Sequence, residues 1–270
     1  MKNQIDGISF SFGKNWKKYL SSLTIEKIQI AKQSLKDFLG NITGKTCIDI
    51  GSGSGIFSYL MYVLGAKEVT SIDVDLFSVQ CAQYLKRKVK NPEIWKIYQG
   101  SILDDSFISQ FDKYDIVYSW GVLHHTGNMW KAIKNAASLV NDNGILFIAI
   151  YNKTRRSKFW LKVKKVYNLS PQIGKKLMNF ILLSVMYFIL PIISLKNPLN
   201  LLKNYKKKRG MDPMIDIRDW LGGYPFEVAT FKEVVNFLKK IDQNLRLIKY
   251  HKVNLNASEN NEFVFKNEKF

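Results

Sequence analysis

Apolar residues along this chain alternate between two patterns. Short, mostly apolar runs stand at 46–50, 68–72, 94–98, 114–119 and 144–151, the form of strands covered on both faces. Between them, apolar positions recur every three to four residues, which predicts helices at 55–64, 76–90 and 129–140 and a short one near 105–111. An amphipathic helix at 24–39 precedes the first strand. A helix at 231–241 and strands at 245–250 and 262–265 close the chain, and Asn143-Gly144 marks the turn into the fifth strand. Strands that alternate with helices in this way predict an α/β protein with a doubly wound sheet.

The first strand, Cys47-Ile48-Asp49-Ile50, runs into Gly51-Ser52-Gly53-Ser54-Gly55. A helix follows at once. Such a turn brings backbone N–H groups and a helix N-terminus close to an anionic group, an approach that side chains would block. The second strand ends at Asp73, the place for a carboxylate that accepts from both ribose hydroxyls. A dinucleotide fingerprint sets its glycines as G-x-G-x-x-G. Here position 56 is Ile and the third glycine comes early, at Gly55, while Asp49 lies two residues ahead of the loop.

This D-x-G-x-G-x-G form with a distal Asp resembles motif I of the class I S-adenosylmethionine-dependent methyltransferases, over residues 45–151. The resemblance implies a Rossmann-like seven-stranded sheet with a C-terminal antiparallel hairpin. It also implies S-adenosylmethionine as cofactor, beside Asp49, Gly51, Gly53, Gly55 and Asp73. In that family the turn after the third strand contacts the adenine, often through an Asp where this chain has Ser101. Ser101 and Ile102 are accordingly expected at the cofactor, although Ser101 and Asp104 serve equally well as helix caps.

After the fourth strand the chain reads Ser119-Trp120-Gly121-Val122-Leu123-His124-His125-Thr126-Gly127, which holds two of its three histidines. The pairing resembles the small-molecule branch of the family, the ubiquinone- and menaquinone-pathway methyltransferases, whose fourth motif reads L-H-H or L-E-H. The N-P-P-Y or D-P-P-Y of base N-methyltransferases is absent. A sulfonium methyl is already activated, so the protein must mainly align an acceptor and remove its proton. An imidazole suits that task, with His125 the first candidate and His124 the second. Trp120 either walls the cofactor, with its ring toward the cationic sulfur, or is ordinary packing.

A further cluster at 219–227 sets Gly222-Gly223 among Trp220, Tyr224 and Phe226. It predicts a sharp, exposed turn, either one wall of an acceptor pocket or a cap for the next helix. Phe10, Phe12, Trp16 and Tyr19 are spaced to act as a lid. Trp16, Tyr151 and Tyr224 are the expected acceptor contacts. Together, Phe12 to Trp16, the His-His run and G-G-Y-P-F-E look like a bacterial group of uncharacterised class I methyltransferases.

Composition changes the picture in one place. The net charge of +19 belongs to 153–209, where fifteen basic residues occur with no acidic one; the rest of the chain has a surplus of only four. Between the basic clusters lies the apolar run 177–195. Its length reaches that of a membrane span. However, the sheet needs strands from both sides of it, and Pro191 interrupts it. Two readings remain: a buried helix over the substrate pocket, or a helix lying in an anionic membrane interface, which the flanking lysines favour. Cys47 and Cys81 form no disulfide framework or metal-ligand spacing, so a reducing compartment and no metal are expected. The N-terminus lacks the apolar run of a signal peptide.

The expected organisation is a lid and helix (1–44), a cofactor-binding core (45–152), a basic–hydrophobic–basic insert (153–213) and the rest of the fold (214–270). The expected activity is O-methylation of a small hydrophobic or membrane-borne acceptor. The expected setting is the cytoplasm, with peripheral attachment to the inner membrane face and no nucleic-acid partner. The competing readings are an RNA or protein methyltransferase that uses the basic insert, and a non-catalytic module that binds S-adenosylmethionine or tethers to membranes.

Overall fold

A computed structural model of the chain describes residues 24–189, 213–251 and 260–268. The aromatic lid, Trp16 included, and the second basic cluster lie outside them. Helix α1 (Ile25–Leu39) precedes β1 (Thr46–Ile50), α2 (Ile56–Val63), β2 (Glu68–Asp73), α3 (Leu76–Lys86) and β3 (Trp95–Gln99). Then come α4 (Asp105–Ile108), β4 (Tyr114–Trp120), α5 (Met129–Ser138) and β5 (Val140–Tyr151). The helices α6 (Ser157–Leu169), α7 (Gln172–Ser184) and α8 (Pro213–Gly222) follow, and α9 (Phe231–Ile241), β6 (Leu245–His251) and β7 (Asn260–Asn267) complete the fold.

The seven strands form one sheet in the order β3-β2-β1-β4-β5-β7-β6. The first five are parallel, and β7 pairs antiparallel with both β5 and β6. Alternation along each strand divides its residues between two cores. Ile48, Val117, Ile148 and Phe265 face α5 and α9, where Ala132, Ile133, Val234 and Leu238 meet them. Cys47, Ile116, Phe147 and Val264 face α1 and α2, where Leu35, Leu39, Leu60 and Met61 meet them. Burying each such side chain contributes about 1.5–3 kcal/mol, which is why strand register is tightly specified here. Phe147 stacks on Tyr118 at 4.9 Å and packs against Phe38 at 5.0 Å, tying the sheet to α1.

Most helices of this unit begin with a side-chain cap. Thr24, Asp75, Asp104 and Asn128 each accept from an amide of the first turn, and Thr230 with Glu233 forms a reciprocal capping box. Helix α2 begins on Gly55 without one.

The chain divides into two compact units, one built on the sheet and the other including Lys158–Phe226. In the second, α6, α7 and α8 share a small apolar cluster around Tyr167, Ile217 and Leu221, with Met178, Leu182 and Trp220 against it. The described part of the apolar run, 177–189, does not form a helix of its own. Helix α7 begins at Gln172, five residues before that run, and gives way to π-helical turns at Val185–Ile189. Among the described residues no helix is long and apolar enough to cross a membrane.

The turn at 221–226 is buried rather than exposed. The cause lies in α6. The Asn168 side-chain amide donates to the Gly222 carbonyl at 3.0 Å, and the Lys164 ammonium donates to the Trp220 carbonyl. The aromatic rings pack onto Lys164, whose Nζ sits 4.0 Å from the centre of the Trp220 ring and 4.9 Å from that of Phe226.

Candidate active site

The loop after β1 keeps its shape through left-handed backbone at Gly51 and Gly55, with φ of 72° and 76°. A Cβ on Gly51 would lie 2.3 Å from Val122 Cγ1, and one on Gly55 would lie 2.7 Å from Ala82 Cα. Both glycines therefore permit close packing within the protein as well as an unusual backbone. The loop amides differ from expectation. Gly51 and Ser52 donate to the Ile72 carbonyl (2.7 and 3.1 Å), Gly53 to Asp73 Oδ2 (2.9 Å) and Gly55 to the Ser52 carbonyl (2.8 Å). These four donors are satisfied internally: the first three lash the loop to the end of β2, and the Gly55 bond closes a turn within it.

Two carboxylates sit beneath this loop. Asp49 stands opposite Ser71 in the β1–β2 ladder and opposite Tyr118 in the β1–β4 ladder. It ends a directional hydrogen-bond chain: Trp95 Nε1 donates to Ser71 Oγ (2.8 Å), Ser71 to Ser58 Oγ (2.7 Å), and Ser58 to Asp49 Oδ2 (2.6 Å). An indole N–H only donates, so the direction is fixed from Trp95 to Asp49. All four residues are buried, and burial, opposed by the Ser58 hydrogen bond and reinforced by nearby Asp73, pushes the Asp49 carboxyl up to about 7. None of Trp95, Ser71 and Ser58 stands out in the sequence; they come from three elements and converge only through register.

Asp73 accepts from the Gly53 and Asp75 amides at 2.9 and 2.8 Å. Burial still wins over these bonds and raises its carboxyl to about 6. Among the described residues neither Asp49 nor Asp73 forms an ion pair. The buried Ser52 hydroxyl has no hydrogen-bond partner among the described residues, and at the start of α2, whose N-cap Gly55 brings no side chain, Ser54 Oγ accepts from the Ile56 amide at 3.4 Å. A buried carboxylate (Asp49) and a half-buried one (Asp73) without a cation, with an unmatched hydroxyl beside them, suit a ligand that brings hydroxyls and positive charge. S-adenosylmethionine, with its ribose diol, ammonium and sulfonium, has that chemistry.

Beyond β4, Leu123–His125 forms a 3-10 turn. His124 is 0 % exposed and lies 4.4 Å from the His125 ring and 4.0 Å from the Tyr151 ring, centre to centre. The Tyr151 amide donates to His124 Nδ1 at 3.4 Å, so in the neutral ring the proton sits on Nε2. His125 is partly exposed and meets Tyr151 edge-on at 5.3 Å. The loop is clasped by Glu227: its amide donates to the His124 carbonyl, and its carboxylate accepts from the Met129 amide, both at 2.9 Å. Burial raises the Glu227 carboxyl, against the opposing pull of the Met129 and Gly127 amides.

Trp120, 44 % exposed, closes β4 at its C-terminal end. Its indole N–H donates to Glu262 Oε1 at 2.8 Å, and the other oxygen of Glu262 meets His251 Nδ1 at 3.1 Å. Glu262 was not expected from the sequence. It lies 142 residues from Trp120, and only the β5–β7 pairing brings it near.

The adenine turn divides its expected residues. Ser101 Oγ accepts from the Leu103 amide at 3.1 Å, and Asp104 caps α4, so both perform turn and cap roles. Ile102 is buried in the core cluster while its carbonyl accepts from Asn135 at 2.8 Å. Tyr224 is buried and belongs to the helical unit. The described residues hold no cluster of side chains suited to a metal.

The comparisons agree with this geometry. A family profile described as a methyltransferase domain matches residues 25–176. The ubiquinone biosynthesis O-methyltransferase of Pelagibacter ubique is 32 % identical over 110 residues, 41 % of this chain and 43 % of that protein. The tRNA U34 carboxymethyltransferase of Campylobacter hominis is 28 % identical over 114 residues, 42 % of this chain and 38 % of that protein. The chain thus spans about half the length, or less, of these curated relatives. Among solved structures, magnesium protoporphyrin IX methyltransferase from Synechocystis with bound SAH is similar at TM-score 0.52 and 15 % identity, covering 90 % of this chain and 83 % of that one. A putative S-adenosylmethionine-dependent methyltransferase from Listeria monocytogenes is similar at TM-score 0.54 and 14 % identity, covering 89 % of this chain and all of that one. At these identities the likeness concerns the fold. With the family profile covering more than half of its length, this chain belongs to the methyltransferase domain family, and its sheet has the class I methyltransferase order.

Proposed function

We propose that the protein methylates a hydroxyl oxygen on a small hydrophobic acceptor, with His125 as the general base. The observation that carries this reading is the His124–His125–Tyr151 cluster, where the loop after β4 meets the C-terminal end of β5, the edge at which open α/β sheets bind their ligands. His125 is the more accessible imidazole of the pair, while buried His124, held by the Tyr151 amide, supports it.

In this reading the ribose is held by Asp73, whose carboxylate the Gly53 and Asp75 amides already orient, and the methionyl end lies over residues 51–55 near Asp49. When bound, S-adenosylmethionine supplies an activated sulfonium methyl group. The protein's part is to align the acceptor oxygen, hold Trp120 in place through Glu262, and receive the hydroxyl proton on His125. Tyr151, beside the two imidazoles, is the candidate acceptor contact in the sheet unit. The ubiquinone-pathway relatives favour an oxygen acceptor. The tRNA-modifying relatives and the basic segment favour a second reading, an RNA acceptor.

Tritium transfer from methyl-labelled S-adenosylmethionine, followed by fractionation into organic-soluble, RNA and protein pools, separates the two. Label is expected in the organic-soluble pool. With that acceptor, His125→Ala should lower kcat by roughly 10²–10⁴ while cofactor affinity changes less than about twofold. Label confined to RNA would overturn the small-acceptor reading, and undiminished turnover in the variant would remove His125 as base.

A further inference from the structure

The outer faces of α6 and α7 carry side chains that a water-facing surface does not need. On α7, Ile173 (82 % exposed), Leu177, Phe180 (64 % exposed) and Ile181 are all solvent-facing. Their spacing, i, i+4, i+7 and i+8, places them in one stripe along the helix. The opposite side of α7 turns Met178 and Leu182 into the cluster shared with α6 and α8, so the helix is apolar on both sides. Among the described residues only one of those sides packs against a partner. On α6 the outward positions mix exposed Lys158 and Lys162 with exposed Phe159, Val166 and Leu169.

Charge selects the occupant. From residue 143 to residue 211 the chain has no acidic side chain and fifteen basic ones. A second copy docking face to face would bring like charges together. RNA is recognised by stacking on aromatic rings and by phosphate contacts, whereas this stripe is mainly aliphatic. An anionic lipid surface matches both halves, taking the apolar stripe at the acyl boundary and the lysines among its headgroups. No described helix can cross the bilayer, which leaves adsorption.

We infer that α6 and α7 form an in-plane docking face for an anionic lipid surface, with Ile173, Leu177, Phe180 and Ile181 as its apolar edge and Lys158 and Lys162 as headgroup contacts. This inference is independent of the acceptor's identity and of His125.

The test uses the full chain with phosphatidylcholine vesicles and with mixed phosphatidylcholine–phosphatidylglycerol vesicles, scored by flotation. Binding is expected to the mixed vesicles and to fall as salt rises from about 0.1 M to about 1 M, where the Debye length shrinks from about 10 to about 3 Å. Leu177→Glu with Phe180→Glu should lower partitioning roughly tenfold or more, and Lys158→Gln with Lys162→Gln should lower it by a smaller factor. All four side chains are exposed, so melting temperatures should stay at the wild-type value and separate lost docking from lost folding. Equal binding to neutral and anionic vesicles, or wild-type partitioning of the Glu variant, would overturn the inference. So would failure to bind either vesicle alongside tight binding of structured RNA.

Discussion

Around the glycine loop the charges are few, negative and wholly or partly buried; on α6 and α7 they are many, positive and, Lys164 apart, wholly or partly exposed. Each region also contains a buried charge that lacks an ion pair among the described residues, and the two handle it differently. Lys164 is enclosed by the Trp220 and Phe226 rings and donates to the Trp220 carbonyl, and burial lowers it to about 7. Its needs are met by its own unit. Asp49 receives one hydroxyl through the Trp95 chain, and Asp73 receives two amides, yet both stay raised. The difference teaches where to look for a ligand. Enclosing a charge in aromatic faces is a structural solution, whereas leaving carboxylates buried without a cation carries a cost that a bound ligand can offset.

That contrast is open to attack first through pH. Asp49 binds its proton more tightly in the folded protein (about 7) than in an unfolded chain (about 4), so between those values the native state holds more protons. Stability must therefore fall as pH rises through this window, by about 4 kcal/mol from Asp49 at roughly 1.4 kcal/mol per unit. Asp73 adds a slope of the same sign up to about pH 6. Asp49→Asn should remove the first contribution and keep the second. Urea unfolding at pH 5 and pH 8 should show the variant gaining on the wild type at the higher pH; parallel curves would mean that Asp49 is not carrying a buried charge.

Packing gives a smaller effect. Gly51→Ala adds left-handed strain and an overlap with Val122, together about 2–4 kcal/mol. Val122→Ala placed in the same chain should recover part of that loss, since it removes the two Cγ overlaps but leaves the Val122 Cβ contact at 2.9 Å and the strain. In the helical unit the exposed Leu177→Ser should change stability by no more than about 0.5 kcal/mol. A comparable loss at Leu177 would show that α7 is covered, and the contrast between the regions would fail.

Much of this contrast is legible in the sequence because its signals are local. The five parallel strands, the cap at Asp104 and the sign of the 153–209 segment all follow from spacing or composition. What stays hidden depends on register. Ser58, Ser71 and Trp95 are unremarkable singly and become a chain only when β1, β2 and β3 align. Glu262 and Glu227 reach the β4 loop from the far end of the sequence. The turn at 221–226 looked exposed because two glycines sit among aromatics, but Lys164 and Asn168 hold its carbonyls from a helix some fifty residues earlier.

The central claim is that cofactor recognition resides in the sheet unit and owes nothing to the outer face of α7. Calorimetric titration of S-adenosylmethionine into the wild type, Asp73→Ala and Leu177→Glu tests it directly. Losing the paired, charge-assisted contacts at Asp73 is expected to weaken binding by about 2–4 kcal/mol, or roughly 30- to 1000-fold, with Leu177→Glu within about twofold of the wild type. Wild-type affinity in Asp73→Ala, or a large loss in Leu177→Glu, would contradict the account.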